Sequence, residues 1–520
     1  MSRRALVIAV TRLGDIIQTE PMVRALKRSG QFEVVSVIVE KTFANVAQMI
    51  SSADDVKLID FVDILGRLDR SKGPLPMQEY VELANWLNES RFTDVYNLTH
   101  SRPSMMLAAL AGPNAQGVTL NAHGMQVVNN RWLKYFFATN LARPWCSFNL
   151  VDIYVNAVDP ASSFVDRIPR FTMPSANSRR SLMCQSDENV LLHVGASKSD
   201  KQWPLERFAA VAKYLLARNL KVTLIGGNKS EAVSGAFPSH KNFRSLMGET
   251  SVTELFEICK EASLLISADS GPVHVAAACG LSVIAIEGGS AHGFETAPYI
   301  EGAYAIQPHL DNLLTRKPGK QVTSAPADLI SVEMVTSTIE YMLGERKSIM
   351  FSPKCTVYET VAGADIPGLE LRSVSGSNVE YEEWQQKLRK FWWQVGGGEK
   401  LKLQNSENDL SIAARLAAKT ARSIAQASDD IAILEHCASD LSVTEKSLTR
   451  LINAYPPLHH LNYFLQIARS SVQGETPQEQ AIELERLYAD IVQAANELDL
   501  MPRSQSRTKS SYSNTEKVLA

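Results

Sequence analysis

The stretch ISADSGPVHVAAACG, residues 266–280, decides how this chain folds. The apolar run Leu264–Ile266 reads as a buried strand that stops at Asp269-Ser270-Gly271, and Pro272 then opens a small-residue helix carrying His274. Proline at the first helical position needs no amide partner, and Ser or Asp just before it can cap the helix. One reading is therefore a well-capped buried helix. The other uses the same geometry: amides around Ser270, Gly271 and Val273 point out of the helix start, where the dipole favours a phosphate. Gly271 admits a close backbone approach. Asp269 would repel a phosphate set against it and suits the neutral hydroxyls of a sugar. His274, one turn in, either donates to a phosphate oxygen or is a satisfied core histidine.

Working outward, the same strand–turn–helix unit recurs. Upstream come strand NVLLHVG, a helix over Leu205–Arg218, strand KVTLIGG and a helix over Val252–Glu261; downstream comes strand SVIAIEG. Residues 1–170 show a second series, with strands ALVIAV, VVSVIV, VKLIDF and DVYNLT separated by helices near 16–28, 43–50 and 77–89. Continuous β-branched runs between helices indicate parallel sheets covered on both faces. The fold class is α/β: two Rossmann-like doubly wound domains, 1–170 and 171–345, facing a cleft. The Pro- and Ser-rich RIPRFTMPSANSRR, residues 167–180, reads as their linker. Residues 346–505 read as a mainly helical extension, and 506–520 as a disordered polar tail.

A chain of 520 residues is too long for one core, and 45% hydrophobic with 21% charged residues is the balance of a soluble globular protein. A net charge of −3 gives no case for nucleic-acid binding. No apolar run approaches the roughly 20 residues that span a bilayer. MSRRALVIAV reads as a first strand followed by TRLGD, not as a signal peptide. Six cysteines without metal-ligand spacing read as free thiols in a reducing compartment, so the expected location is cytoplasmic.

Two further strand ends carry chemistry. HVGASKSDKQWP, residues 193–204, ends a strand in small residues and continues with Ser197, Lys198 and Lys201. Hydroxyl and ammonium donors there suit an oligophosphate, although the order GxxxxGK[ST] is absent and P-loop chemistry is disfavoured. The alternative is solvated lysines on a surface loop. VTRLGDIIQTEPMVRALK, residues 10–27, places Gly14 and Asp15 at a helix start. Asp15 is either an N-cap or a carboxylate placed to take a proton from an incoming hydroxyl, within about 3 Å of it. Arg12, beside Gly14, adds a cation on that side.

Together these three stretches resemble glycosyltransferase family 9, the group that includes bacterial lipopolysaccharide heptosyltransferases. LIGGNKSE (224–231) and LMGETSVTEL (246–255) fit between them, and the resemblance covers roughly residues 4–345. It implies a GT-B fold with the acceptor on the N-terminal domain, near Arg12 and Gly14, and an ADP-sugar on the C-terminal one. It implies Asp15 as catalytic base and Lys201 as the group facing the departing phosphate. Ser197 and Lys198 would sit at the donor, Glu231 on the ribose and Met247 near the adenine. Asp269 would hold the sugar, with Ser270, Gly271 and His274 at the phosphates. The chemistry implied is an inverting displacement with no obligatory metal or other cofactor, the ADP-heptose-like sugar being a substrate.

Departures bear on the substrate. Thr11-Arg12-Leu13 stands where such enzymes commonly have a Ser-rich turn, and EGGSAHGFETAPY (287–299) replaces a Gly-Pro-Thr-like loop. His292 and Glu295 there either touch the donor sugar or are loop surface. A lipopolysaccharide inner-core acceptor is the default. Other readings are glycosylation of a surface protein, such as an autotransporter or flagellin, and a non-catalytic nucleotide-sugar-binding protein. The aromatic extension is expected to face a protein partner, though WQQKLRKFWW (384–393) also suits a peripheral contact with the inner membrane.

Overall fold

The computed structural model describes residues 3–60, 63, 77–112, 114–172, 189–196, 198–227, 231–310, 326–397, 409–426, 431–472, 476–496 and 498. The alternation builds two sheets. In the first, β1 (Arg3–Ala9), β2 (Phe32–Glu40), β3 (Asp55–Ile59), β4 (Asp94–Asn97), β5 (Ala115–Leu120) and β6 (Gln126–Asn129) lie in the order β3-β2-β1-β4-β5-β6. In the second, the strands are β7 (Asn189–His193), β8 (Lys221–Ile225), β9 (Phe243–Ser245), β10 (Leu264–Ala268), β11 (Ser282–Ile286), β12 (Tyr304–Pro308), β13 (Cys355–Ala362) and β14 (Leu369–Ser375). Their order is β14-β13-β12-β11-β10-β7-β8-β9.

The central strands are parallel and wholly buried, Leu6, Val7 and Ile8 in β1 and Leu265 and Ile266 in β10, as a two-sided helical cover requires. In each sheet the order reverses at one pair, β1–β4 and β7–β10. The loops leaving those four strands open onto a crevice, and the three motifs fall on them.

The structure corrects the sequence reading in three places. Residues 355–375, expected within a mainly helical extension, form β13 and β14, an antiparallel pair added to the second sheet through β12. Gly368, at φ 120°, belongs to the turn between them, where a Cβ would meet the Asp152 carboxylate at 2.3 Å. Arg167, assigned to the linker, is instead fully buried. Its guanidinium donates to Asp152 Oδ1 (3.1 Å), Asn156 Oδ1 (2.8 Å) and the Ser162 carbonyl (3.0 Å). Residues 173–180 of the expected linker and the tail 506–520 lie outside the described residues. The third correction concerns WQQKLRKFWW: Phe391, Trp392 and Trp393 are core, not an outward face.

Those aromatics belong to the helix Val379–Val395, which lies against the first lobe. The Trp392 ring meets Tyr135 tilted at 4.8 Å and Phe464 edge-on at 4.9 Å, and Trp393 meets Trp132 at 6.1 Å. Helices Asp409–Ala425, Ile431–Ala454, His459–Ser470 and Pro477–Ala495 complete the extension, whose core is continuous with that of the first lobe. Val128 N–H donates to Ser471 Oγ at 2.9 Å, tying the β6 edge to the extension. No helix among the described residues is long and apolar enough to cross a membrane.

The lobes are joined through the helix Leu150–Asn156. Its Asp152 is fully buried and accepts from Arg167, from Tyr299 Oη (2.5 Å) in the second lobe and from Leu369 N–H (3.0 Å) on β14. Removing one partner of a buried ion pair strands the other charge. Asp152→Ala is therefore expected to lower the unfolding free energy by about 3–5 kcal/mol in urea denaturation. A loss below about 1 kcal/mol, the range of an exposed pair, would show that the network does not join the lobes.

Candidate active site

β1 runs into the helix Leu13–Arg28 through a turn in which Asp15 Oδ2 accepts the Arg12 backbone N–H at 3.3 Å. β10 runs into the helix Gly271–Ala278 through Asp269-Ser270. The two helix starts come from different lobes and meet through their glycines. A Cβ on Gly14 would sit 2.7 Å from His274 Cδ2, and one on Gly271 would sit 2.9 Å from Leu13 Cδ2. Neither position has room for a side chain. This contact, more than any backbone freedom, is what the two glycines provide.

The second lobe's half of the site is built on β7 and β10. Lys201 and Asp269 are buried and form an ion pair. Burial pushes the Asp269 carboxyl up, but the Lys201 ammonium more than compensates, helped by His274 and Arg143, and holds it below its ordinary value. The Ser270 hydroxyl donates to the Ala268 carbonyl (3.0 Å) and lies against Ser267 Oγ and His193 Nδ1. It is thus occupied sideways and does not cap the helix. The Val273 amide, expected to be free, closes on the Ser270 carbonyl at 3.0 Å. Pro272 has no N–H, so the amides of Ser270 and Gly271 are the ones without a partner among the described residues. Met247 is buried beside Gly226, where a Cβ would meet its Sδ and Cε at 2.7 Å.

A cleft of about 1000 Å³ unites the halves. Arg12, Gly14 and Asp15 line it from one lobe, with Lys201, Met247, Asp269, Ser270, Gly271 and His274 from the other. Lys198 is exposed and outside the lining, because the short 3-10 turn Ser199–Lys201 carries the chain inward only by Lys201. Ser197 lies outside the described residues, as does the side chain of Glu231, which opens the helix Glu231–Ala236. His274 lowers its proton affinity through burial, partly offset by the Asp269 and Asp15 carboxylates, so it senses both acids. Its Nδ1 is buried without a partner among the described residues.

Several lining residues escaped the sequence reading: His100 and Ser101 after β4, His193 at the end of β7, Asn140, Arg143 and Tyr154. His100 and His193 were findable, since both close strands at a switch point. Arg143 carries no local pattern; it bridges the lobes by an ion pair of 2.7 Å to Glu295. Glu295 lines the cleft, whereas His292 is buried behind it. Glu287 is also buried, and burial together with the Asp269 carboxylate raises its carboxyl well above the ordinary value. Both of its oxygens lack a partner among the described residues, so nothing there offsets the burial that disfavours its charged form.

Two Rossmann-type lobes, with a carboxylate on one and a cation–carboxylate pair on the other across one cleft, form a GT-B-like architecture. Residues 81–323 match the model of glycosyltransferase family 9 (heptosyltransferase). Over those residues, just under half of its length, the chain is similar to the family 9 heptosyltransferases. It is 22% identical over 292 residues to the Escherichia coli lipopolysaccharide heptosyltransferase 3, covering 54% of this chain and 82% of that protein. It is 29% identical over 119 residues to the Haemophilus influenzae lipopolysaccharide core heptosyltransferase OpsX, covering 22% of this chain and only 34% of that one. The crystal structure of a family 9 glycosyl transferase from Veillonella parvula shares the fold, with a TM-score of 0.51 at 20% identity, covering 66% of this chain and 98% of that one.

The buried histidines set the acid response. Burial lowers His100 and His193 to about 4, and His292 and His460 to about 3. The unfolded chain protonates each near 6.5 while the folded one does not, so stability drains as pH falls from about 6.5 to 4, by up to about 1.4 kcal/mol per pH unit for each group. His274 and His459, also lowered by burial, act in the same sense, while the raised carboxyls of Glu287 and Asp490 act in the opposite one. The melting temperature is expected to drop across that window, and a flat or rising profile between pH 7 and 4.5 would contradict the assignment of neutral buried rings.

Proposed function

We propose that this protein is an inverting glycosyltransferase that moves a heptose-type sugar from an ADP-sugar to a hydroxyl of the lipopolysaccharide inner core. The observation that carries the reading is the shared cleft: Asp15 from one lobe lies across from Lys201 and Asp269 of the other, with Gly14 against His274. The names of the relatives support the choice of sugar and acceptor.

In this reading the acceptor hydroxyl gives its proton to Asp15 as its oxygen bonds to the anomeric carbon, and the bond from that carbon to the ADP oxygen breaks. Negative charge grows on the departing phosphate. Lys201, whose remaining N–H groups are not consumed by Asp269, meets it together with the Ser270 and Gly271 amides. Such preorganised donors act on charge that develops only in the transition state. Asp269 accepts from sugar hydroxyls, Met247 packs by the adenine, and no obligatory metal is required.

Asp15→Ala is expected to cut transfer from ADP-heptose to a heptose-free lipopolysaccharide core by about 10²–10⁴-fold. ADP binding by calorimetry should stay unchanged. Full turnover by the variant would reject Asp15 as base, and transfer to surface proteins but not to the core would move the acceptor to that class.

A further inference from the structure

The acceptor half contains a histidine whose proton can be located from its neighbours. His100 lines the cleft directly after β4, the strand paired with β1, and Val10 N–H donates to Thr99 Oγ1 at 3.2 Å, so the two strand ends run side by side. The loop is stiff. Asn97 Oδ1 accepts Thr99 N–H at 3.0 Å, and Ser104 Oγ donates to the Thr99 carbonyl at 2.7 Å. The His100 ring packs between Phe136 (4.4 Å) and Phe137 (5.0 Å).

Asn140 fixes the tautomer. Its Nδ2 lies 3.2 Å from the Phe136 carbonyl and 2.7 Å from His100 Nδ1. A carbonyl oxygen can only accept, so the Asn140 atom facing it is the amide nitrogen. That nitrogen also donates to Nδ1, which leaves the ring proton on Nε2. Nε2 has no protein partner among the described residues.

We propose that His100 is an acceptor-binding residue whose Nε2–H, oriented by Asn140, donates to an acceptor oxygen flanking the hydroxyl that Asp15 deprotonates. This rests on the glycosyl-transfer reading above. A neutral N–H donor serves a sugar hydroxyl or ring oxygen without adding charge beside the base. The ring is half-buried against Phe136 and Phe137, and that desolvation disfavours its charged form and lowers its pKa to about 4.

Two readouts decide it. In the full-length protein carrying ¹⁵N-labelled histidine, long-range ¹H–¹⁵N spectra at pH 7 should show His100, assigned by its loss in His100→Gln, as the Nε2–H tautomer. An Nδ1–H tautomer or an imidazolium overturns the proposal. With ADP-heptose and a heptose-free lipopolysaccharide core, His100→Ala is expected to raise the core KM roughly tenfold, the factor for one lost hydrogen bond of about 1.4 kcal/mol, with the donor KM unchanged. His100→Gln, which places an amide donor near Nε2, should recover most of it. An unchanged core KM in folded His100→Ala overturns the proposal. Should the wild type transfer nothing to the core, the proposed acceptor falls. The His100 tautomer then judges this inference alone, since without an Nε2–H there is no donor for any acceptor oxygen, and an Nδ1–H ring overturns it.

Discussion

The whole site depends on how closely two helices can approach end to end. Gly14 and Gly271 remove the side chains that would hold the Leu13–Arg28 and Gly271–Ala278 helices apart, and His274 and Leu13 occupy the space. A methyl group at either position would force the lobes to separate or the opposing side chain to leave its place. Because Asp15 stands in the first turn of one helix and Asp269 just before the start of the other, that contact brings the two carboxylates to the same cleft. Behind it, Asp152 receives hydrogen bonds from Arg167, Tyr299 and Leu369 and keeps both lobes on one axis.

Charge within the cleft follows a consistent logic. Lys201 and Asp269 neutralise each other at the floor, and Arg143 and Glu295 do so across the lobes. A further carboxylate at Glu287 would compete for Lys201, and burial together with the Asp269 charge disfavours its ionised form. The neighbouring histidines are likewise held neutral. The cleft therefore holds paired charges and no fixed excess of cations among these residues.

The extension is more than an appendage. Trp392 and Trp393 enter the aromatic core of the first lobe around Trp132 and Tyr135, while β13 and β14 widen the second sheet. The segment between residues 355 and 395 thus passes from one lobe to the other. Gln385 Nε2 and Tyr381 Oη both donate to the Pro144 carbonyl at 2.7 Å, beside Arg143 of the cleft, so the extension braces the acceptor side from behind.

Much of this was legible in the residues themselves. Continuous β-branched runs alternating with helices specify parallel, doubly wound sheets, and glycine-containing turns at strand ends mark where ligands and catalytic groups must gather. Asp15, Lys201, Asp269 and His274 stood in such turns. What local pattern could not supply was partnership across the chain. Lys201 meets Asp269 from 68 residues away, Arg143 meets Glu295 from 152, and the tautomer of His100 is set by Asn140, 40 residues on. The amphipathic helix Val379–Val395 announced a buried face but not the surface that would bury it, and Arg167 looked like linker until four acceptors enclosed it. Periodicity and turn chemistry act between neighbours in sequence and so determine the elements. Burial, proton location and charge pairing depend on which elements come to lie together, and only the folded chain decides that.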